Sequence, residues 1–566
     1  MIKKITVIFM ALILSTVTLT ACSDNSSTTV NTTSTVSSQV SQDNSSTTSE
    51  NSNFSDGDYK DVTSETTNAT ITLSGNEGTI SDTTRGSSGS EVTITSKGIY
   101  KVTGSSENVT IKINDSNQSG NIYLILDNVS MTNTSNACIY VEACDKLIIQ
   151  CTGNSFLTYN NSDSSSKTDG AIYSKDDITI NGSGSLDINS SLHGIVCKED
   201  IKITGATLNI NSDNIGIQAE DSLRIDGGTT AIQSDHDGIQ LENDDNTSYF
   251  YMSNGSLTVN AGYDGISVKA ADSGTAFKGS VKIKGGTVNI TAGGGSDNSK
   301  NSNTSQKGIK CDGEIDIENS SVTVSSADDA IHGKDNITVN SGTVNLSTSD
   351  DGITAIGIVT INDGDVTVSK SYEGIEGGSV VIKGGNISVT SSDDGINTSG
   401  GSDTTANDDT LWDEDSNGNI NISGGNIYIN SSGDGLDSNG SIYVTGGTTI
   451  IEGSTADNNG AIDKGDGANY VASITGGTVL ALGTSDMAVN FDSGSQCSAL
   501  VDISGSKDTV ISVDDGSGFT FTATKNFTCA VYSSPNMTQG NSYTLTAGSN
   551  TAQMDFTSGL YYSNIK

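Results

Sequence analysis

The sequence predicts an all-β fold: a right-handed parallel β-helix with about 22 residues per coil and a small C-terminal β cap. Three observations predict it. A short acid-Gly-Ile phrase recurs at nearly fixed intervals, apolar residues alternate with polar ones, and Gly-Gly pairs interrupt the alternation. A repeat of roughly 20 to 50 residues is typical of stacked architectures, in which each unit buries its apolar face only against its neighbours.

The recurring phrase is an acidic residue or pair followed by Gly or Ala and an aliphatic residue. Its acids stand at Asp169, Asp237, Asp264, Asp328, Asp350, Asp393 and Asp434. Measured on the Gly position, most steps are 21 to 24 residues, one is 27, and two are 43 and 40. The two long steps are close to two units, so each holds either a pair of coils or one coil with an insertion.

Within a unit the apolar residues occupy alternate positions, as at Val281, Ile283, Val288 and Ile290. A period of two indicates strands rather than helices. The Gly-Gly pairs mark corners that residues with a Cβ adopt poorly. Each coil is therefore predicted to hold three strands, one at the Gly-Ile phrase, one ending at Gly-Gly and one following it.

The N-terminus predicts export and lipid anchoring. Lys3 and Lys4 precede an apolar run that ends in LTAC, so residues 1–21 read as a lipoprotein signal peptide and Cys22 as the lipidation site. A plain signal peptide followed by an incidental Cys is the alternative. Two acyl chains would hold the protein durably on the outer face of the cell membrane.

The rest of the chain divides into three parts. Residues 22–57 are a predicted tether, since 24 of the 33 residues from Ser23 to Ser55 are Ser, Thr or Asn. Residues 58–494 are predicted to form one elongated solenoid, and 495–566 a cap or a separate small β domain. We expect a monomer. The seven cysteines after Cys22 are an odd number, which favours buried thiols over bridges.

The charge balance points to cations as partners. The chain carries 68 acidic against 27 basic residues, a formal charge of −41. Nucleic acid is not an expected partner, because binding it depends on Lys and Arg that neutralise phosphates.

Carboxylates at equivalent positions of successive coils should stack. Two unit charges ~5 Å apart repel by about 3 kcal/mol at an effective dielectric near 20, so such a column favours bound cations. Calcium fits best, since it takes six to eight oxygen ligands in an irregular shell. The alternative is that the acids form water-facing turns. The predicted calcium ligands here are Asp235, Asp237, Asp328, Asp329, Asp350, Asp351, Asp393 and Asp394.

A second predicted calcium site lies in the insertion within the step of 40 residues, between the phrases at Asp393 and Asp434. Asp413, Asp415 and Asn417, followed by Gly418, give the first half of an EF-hand loop. The twelfth position of that loop holds Gly424 where a Glu is expected, so a purely acidic loop is the alternative. Trp412 in the same insertion could stack on a sugar ring or cap a coil.

Enzymatic residues are sparse. Lys334 lies between the acid pairs of two coils, where a lysine beside calcium could remove the acidified proton of a uronate. It recurs in a column with other lysines, so balancing surface charge is the competing interpretation. Tyr263 and Tyr372 occupy one corner column and are the predicted stacking surfaces for sugar rings.

Several stretches resemble the bacterial carbohydrate-binding domain proteins. They include GIYKVTG at Gly98, NIYLILDNVSMTN at Asn121, HGIVCKEDIKITGATLNI at His193, DHDGIQLEND at Asp235, and a closing segment from Phe519. The resemblance implies a right-handed β-helix that binds calcium and plant cell-wall polysaccharides, notably cellulose and polygalacturonate, with a pectate-lyase-like shape. Where Ile215 and Lys307 replace the corner acid, we expect no metal.

We therefore expect a surface lipoprotein that binds acidic polysaccharide through calcium and is not an enzyme. A calcium-dependent pectate lyase that uses Lys334 as its base is the first alternative. A structural adhesin or spacer is the second.

Overall fold

The computed structural model describes residues 53–118, 120–161, 167–271, 276–398, 418–456 and 459–565. Cys22, Trp412, Asp413, Asp415 and Asn417 lie outside these ranges, so their roles stay predictions. The described residues form one helix of four residues and 48 strands, 44 in one sheet and 4 in another. No helix among them is long and apolar enough to cross a bilayer.

The first half of the chain contains the helix α1 (Asp56–Tyr59) and the strands β1 (Ala69–Gly75), β2 (Glu77–Ile80), β3 (Gly86–Ser87), β4 (Glu91–Ile94), β5 (Gly98–Glu107), β6 (Thr110–Asn114), β7 (Ile122–Asn133), β8 (Ile139–Ala143), β9 (Leu147–Cys151), β10 (Asn154–Tyr159), β11 (Gly170–Ser174), β12 (Ile178–Gly182), β13 (Ser185–Ser190), β14 (His193–Cys197), β15 (Asp200–Ile203), β16 (Thr207–Ser212), β17 (Ile217–Ala219), β18 (Ser222–Ser234), β19 (Ile239–Leu241), β20 (Tyr249–Ala261), β21 (Ile266–Val268), β22 (Ser280–Ile283) and β23 (Thr287–Ala292). The second half contains β24 (Ile309–Cys311), β25 (Glu314–Ile317), β26 (Ser320–Ser326), β27 (Ile331–Gly333), β28 (Ile337–Val339), β29 (Gly342–Thr348), β30 (Ile353–Ile361), β31 (Asp365–Lys370), β32 (Ile375–Ile382), β33 (Asn386–Thr390), β34 (Ile396–Thr398), β35 (Ile420–Ile422), β36 (Asn426–Asn430), β37 (Leu436–Ser438), β38 (Ile442–Glu452), β39 (Ile462–Lys464), β40 (Ala472–Gly483), β41 (Ser493–Gly494), β42 (Ser498–Gly505), β43 (Val510–Val513), β44 (Thr520–Thr522), β45 (Phe527–Ser533), β46 (Ser542–Ala547), β47 (Asn550–Asp555) and β48 (Tyr561–Ser563).

The strands of successive coils pair in parallel and build three faces. Face 1 holds the Gly-Ile strands, from β8 through β11, β14 and β17 to β39. Face 2 holds the strands that end at the Gly-Gly corner, such as β9, β12, β15 and the first part of β18. Face 3 holds those that follow the corner, such as β10, β13, β16 and the second part of β18. The predicted coil of three strands is confirmed as a parallel β-solenoid.

The two long steps are single coils with insertions. Ile266 pairs directly with Ile309 across the step of 43 residues, and Ile396 pairs with Leu436 across the step of 40. Because each pair is adjacent in the stack, each long step advances the solenoid by one coil and not by two. The sequence period alone left this choice open.

The core is a set of aliphatic columns between the three faces. On face 1, Ile217, Ile239, Ile266 and Ile309 pair in register, and all are fully buried. Branched side chains stacked at the strand spacing of ~4.8 Å fill the interior. Each Å² of apolar surface that they remove from water stabilises the fold by about 25 cal/mol. This repeated burial is what a single coil cannot achieve alone.

The phrase glycine is required by close packing. A Cβ on Gly374 would lie 2.2 Å from Cγ1 of Val389 and 2.3 Å from the carbonyl oxygen of Gly395. Most coils repeat this pairing of Gly with a β-branched residue. At the equivalent positions one coil carries Ala330 with Leu346, which has no branch at Cβ. The phrase therefore has Gly where the facing residue is branched at Cβ, and it accepts Ala where the facing residue is Leu.

The Gly-Gly corners turn as predicted. The second residue of the corner pairs has a left-handed φ, for example 83° at Gly286 and 87° at Gly385, and the same holds at Gly228, Gly425, Gly447 and Gly477. Residues with a Cβ rarely adopt this conformation, which explains why the pair recurs.

The C-terminal part continues the large sheet and adds a second one. β45 pairs antiparallel with β40 and β42, while β44, β43, β46 and β47 form a separate four-stranded sheet. Its own apolar cluster includes Phe527, Tyr532 and Phe556. Buried Glu452 of the solenoid accepts a hydrogen bond from the Thr524 amide at 2.6 Å. The predicted cap is thus joined to the last coils.

The last residues of the predicted tether, from Asn53, pack against the solenoid. Residues Asn53 to Val62, hereafter the strap, lie against face 2, with Asp58 of α1 fully buried. The seven cysteines in the described residues are free and buried, as predicted.

Candidate functional site

The acidic phrases line one edge of the solenoid, where face 3 turns into face 1. We call this edge the acid corner, defined as the two residues before the Gly position in the coils from Asp237 to Asp434. Main-chain hydrogen bonds stack its coils: the Ala330 amide donates to Asp351 at 2.9 Å and the Gly374 amide to Asp394 at 3.0 Å. The expected stacking of carboxylates is therefore present.

The acid directly before the Gly position has a structural role in most phrases. Its carboxylate accepts a hydrogen bond from the amide of the equivalent residue one coil on: Glu373 donates to Asp351 at 3.0 Å, and Asp434 donates to Asp394 at 2.7 Å. An Asp at this position thus satisfies an otherwise unpaired turn amide. A carboxylate has further lone pairs, so this role leaves capacity for a cation.

A first cluster joins Asp328, Asp329 and Asp350, whose oxygens lie within 4.8 Å of one another. Lysines enter it. Lys307 Nζ lies 3.1 Å from Asp328 and 2.5 Å from Asp329, and Lys300 Nζ lies 2.6 Å from Asp350.

The first cluster is therefore neutralised from within the chain. Burial alone would raise the pKa of Asp329, yet Lys307 and His332 hold it well below its usual range. Nδ1 of buried His332 lies 3.0 Å from the Asp329 carboxylate. The sequence predicted only that the coil of Lys307 binds no metal. In the structure the Lys307 ammonium pairs with the acids of the next coil.

A second cluster joins Asp394, Asp434 and Asp437, again within 4.8 Å. Asp394 and Asp434 belong to the acid corner, and Asp437 lies on the adjoining face 1 strand β37. Within the described part of the chain, no Lys, Arg or His side chain forms an ion pair with these three. Their charges are not balanced as those of the first cluster are.

The electrostatics of the second cluster favour a cation. Burial, together with the neighbouring carboxylates, raises the pKa of Asp394 to about 6, of Asp434 to about 7 and of Asp437 to about 8. Gly433 makes room for the carboxylates: a Cβ there would lie 2.3 Å from Asp394 Oδ1 and 2.5 Å from Asp393 Oδ1. Three oxygens converging beside a residue with no side chain form a cradle suited to a hard ion.

Asp351 and Glu373 connect the two clusters. Burial raises both pKa values well above their usual range, and Asp329 raises that of Asp351 further. Glu373 accepts a hydrogen bond from Asn397 at 2.9 Å. The acid corner is thus continuous from its lysine-bound part to the second cluster.

The remaining predicted ligands are more dispersed. Asp235 is exposed, whereas burial and Asp264 raise the pKa of Asp237 to about 7. Neither belongs to a three-carboxylate cluster among the described residues. Asp237 accepts from the Asp264 amide at 3.1 Å, the structural role shared by the other corner acids.

The two tyrosines differ in what they can offer a ligand. Tyr263 stacks on His236 at 4.5 Å between ring centroids, so one of its faces is covered. Tyr372 is 48% exposed and stands beside Asp393, whose hydrogen bond raises the tyrosine pKa. Tyr372 is the better placed of the two for stacking on a sugar.

Lys334 pairs with an acid of a neighbouring coil. Its Nζ lies 2.9 Å from Asp312, and its side chain is half exposed. Lys198 and Lys269 of the same column pair in the same way with Glu220 and Glu242. These ion pairs are what the surface-charge interpretation of the lysine column predicts.

Sequence reasoning missed Asp437, Lys300 and the role of Lys307. Asp437 stands two residues after the phrase glycine, where Glu376 and Asp463 occupy the same column. Comparing the residues two positions after each phrase glycine, together with the corner acids, would have found Asp437. Lys300 lies in an inserted loop, where no periodicity predicts a contact.

Comparison with known proteins identifies the family. The profile of the carbohydrate-binding domain-containing protein family matches residues 88–352 and 350–516. A curated Acetivibrio thermocellus protein described as "Carbohydrate-binding domain-containing protein" is 34% identical over 127 residues, which are 21% of this chain and 44% of the relative. The chain thus spans less than half of that relative's length.

A solved polysaccharide lyase-like protein from C. thermocellum, a gadolinium derivative, is 26% identical and covers 50% of this chain and 97% of its own, with a TM-score of 0.36. The family match extends over more than half of the sequence and includes the coils of both carboxylate clusters. The chain belongs to the carbohydrate-binding domain-containing protein family.

Proposed function

We propose that this protein binds acidic polysaccharide through calcium held at the acid corner, with Asp394, Asp434 and Asp437 as the principal site. One observation carries the proposal: three convergent, partly buried carboxylates that no basic side chain among the described residues neutralises. Carboxylates in this state either bind protons or bind a cation.

Calcium suits this set because it is a hard ion with six to eight oxygen ligands. Three protein carboxylates leave coordination positions that carboxylates of a uronate polymer can occupy. The ion would then bridge protein and ligand, and the stacked coils would offer further acids at ~4.8 Å intervals along the chain of the ligand.

The carbohydrate class follows from the family and from the corner itself. The family is described as carbohydrate-binding, and so is the Acetivibrio thermocellus relative. Exposed Tyr372 stands beside Asp393, so an aromatic ring and a carboxylate adjoin on one surface. Neutral rings such as those of cellulose would stack on the tyrosine, while polygalacturonate would bind through the bridging ion.

We further propose export and anchoring through a lipid on Cys22. The Ser-, Thr- and Asn-rich residues between Cys22 and the solenoid would serve as the tether. We propose that the protein acts as a monomer.

The decisive experiment is a polygalacturonate pull-down in calcium and in chelator. Binding in calcium should be lost in chelator and weakened in Asp437→Asn, because a neutral amide offsets less of the ion's charge. Asp502→Asn, an exposed acid of the C-terminal part, is the matched control and should bind normally. Equal binding with and without calcium would contradict the proposal.

The same assay separates the alternatives. A lyase would release unsaturated oligogalacturonides that absorb near-ultraviolet light, and Lys334→Ala would abolish that release while preserving binding. We expect no release from the wild type. A spacer or adhesin without sugar specificity would bind no glycan on an array in either condition.

A further inference from the structure

The strap crosses several coils of face 2 against the direction of stacking. At one end Arg224 Nη1 donates to the Asn53 carbonyl at 2.9 Å, and at the other the Val62 amide donates to Gln150 Oε1 at 3.0 Å. Tyr59 hydrogen-bonds Asp226 between them. The strap therefore covers the outer surface of β9, β12, β15 and β18.

Asp58 fills a carboxylate-binding site on that surface. Its side chain is fully buried, with Lys146 Nζ at 3.0 Å, the Thr179 hydroxyl at 2.8 Å and Lys202 Nζ at 3.6 Å. Thr179 and Lys202 pair in register on adjacent coils, and Lys146 stands on the preceding coil, two residues before Ile148, which pairs with Thr179. Two ammonium groups and a hydroxyl thus converge on one carboxylate that belongs to a peripheral segment.

The site is basic in a strongly acidic chain. Lys202 and Arg224 are less than 10% exposed under the strap, although the chain has only 27 basic residues against 68 acidic ones. Arg224 is paired with Asp200, and Asp177 also faces the cluster. Burial lowers the pKa of Lys202, and Lys146 and Arg224 lower it further, as crowded cations do. Replacing Asp58 by a neutral group would leave these cations undercompensated.

The strap does not seal the surface beside Asp58. A cavity of about 430 Å³ lies between strap and solenoid, lined among others by Tyr59, Asp61, Gln150, Asn181 and Thr204. Asn181 and Thr204 also donate to the Asp58 carbonyl, at 3.1 Å and 2.6 Å. The open volume is bounded by an aromatic ring, by the Asp61 carboxylate and by amide and hydroxyl groups, and it lies on the side of the Asp58 main chain. The strap thus leaves polar space on face 2 next to the segment that carries Asp58.

We propose that Lys146, Thr179 and Lys202 form a second, calcium-independent binding site for the uronate carboxylates of an acidic polysaccharide, which Asp58 of the strap occupies in the absence of ligand. The choice of ligand rests on the proposed function. The strap competes with the polymer for the same lysines, so apparent affinity is reduced by the fraction of molecules whose strap is closed. A ligand with several carboxylates would bind with higher overall affinity than the strap, because it can contact neighbouring coils at the same time.

The test measures binding of oligogalacturonate to the full chain in chelator, where calcium bridging at the acid corner is absent. Asp58→Ala should bind at least about tenfold more tightly than the wild type, because the competing carboxylate is gone. The matched control is Asp56→Ala, an exposed acid of the same helix, which should behave as wild type. Neutral cello-oligosaccharide should show no gain in Asp58→Ala.

Two further measurements identify the site. Adding Lys202→Gln to Asp58→Ala should remove the gain, and a synthetic peptide of residues 53–62 should compete with oligogalacturonate for Asp58→Ala. The proposal is overturned if folded Asp58→Ala gains nothing in chelator, or if the gain survives Lys202→Gln. Either failure leaves calcium-dependent binding at the acid corner untouched, so the two proposals are tested separately.

Discussion

Lys307 Nζ lies 3.1 Å from Asp328 Oδ1, so the coil that lacks a corner acid supplies a cation to the acids of the next coil. Both side chains are buried. The acid corner is thereby divided into a lysine-bound part around Asp328 and a part at Asp394 and Asp434, which with Asp437 of the adjoining strand has no basic partner among the described residues. Predictions about ions and stability differ for the two parts.

Removing the buried ammonium should destabilise the protein. Lys307→Gln leaves Asp328 and Asp329 without their closest cation, which costs about 3 kcal/mol when one partner of a buried ion pair is lost. Thermal unfolding in chelator should show the loss, and calcium should restore part of it by binding the freed carboxylates. If the variant melts with the wild type, the ion pair does not stabilise the corner.

Calcium should stabilise the wild type through the second cluster. An ion that binds only the folded state raises stability by mass action, so the melting temperature should rise by several degrees between chelator and saturating calcium. Asp437→Asn should lose most of that rise. Asp328→Asn, in the lysine-bound cluster, should keep it, and the reverse result would place the ion at the first cluster.

Stability in chelator should fall as pH rises from about 5 to 8. The pKa values of Asp394, Asp434 and Asp437 in the folded protein are raised from 3.8 to about 6, 7 and 8. The folded state therefore binds more protons than the unfolded state in this window, and the contribution present at low pH is lost as the carboxylates ionise. Calcium affinity should rise over the same window, because the ion competes with protons. Calorimetry at pH 6 and 8 measures both, and a flat profile would contradict the assignment.

The packing of the phrase glycine predicts a rescue. Gly374→Ala introduces a Cβ that meets Val389 and should destabilise the protein by about 1 to 3 kcal/mol. Val389→Leu in the same chain moves the branch away from Cβ and should recover part of the loss, as the natural pair of Ala330 and Leu346 indicates. Chemical denaturation of the single and double variants measures the coupling. Additive losses would mean that the two positions do not interact.

Anchoring is tested at Cys22. Cys22→Ala removes the acceptor of the predicted lipid, so the protein should appear in the medium or remain as an unprocessed precursor. Detergent partitioning of the wild type checks the anchor directly. Recovery of the wild type in the aqueous phase would contradict lipidation.

The repeat, the strands and the corners are predictable from the sequence alone. These features depend on local rules: alternation sets which side chains point inward, and a left-handed φ at the second glycine of each pair, as at Gly286, requires a residue without a Cβ. Stacking of the corner acids followed too, because a fixed period places equivalent residues above one another.

The neutralisation of the acids, in contrast, depends on contacts that form only in the folded chain. Lys307 and Lys300 reach Asp328, Asp329 and Asp350 from another coil and from an inserted loop, and no period encodes those contacts. The cluster with Asp437 needed both the corner column and the neighbouring strand of face 1. The strap could not be predicted from its polar sequence, because its packing depends on ion pairs of Asp58 with Lys146 and Lys202, which are distant along the chain. Charge pairing across distant residues is a property of the fold, since Coulomb energy depends on separation in space and not on separation along the chain.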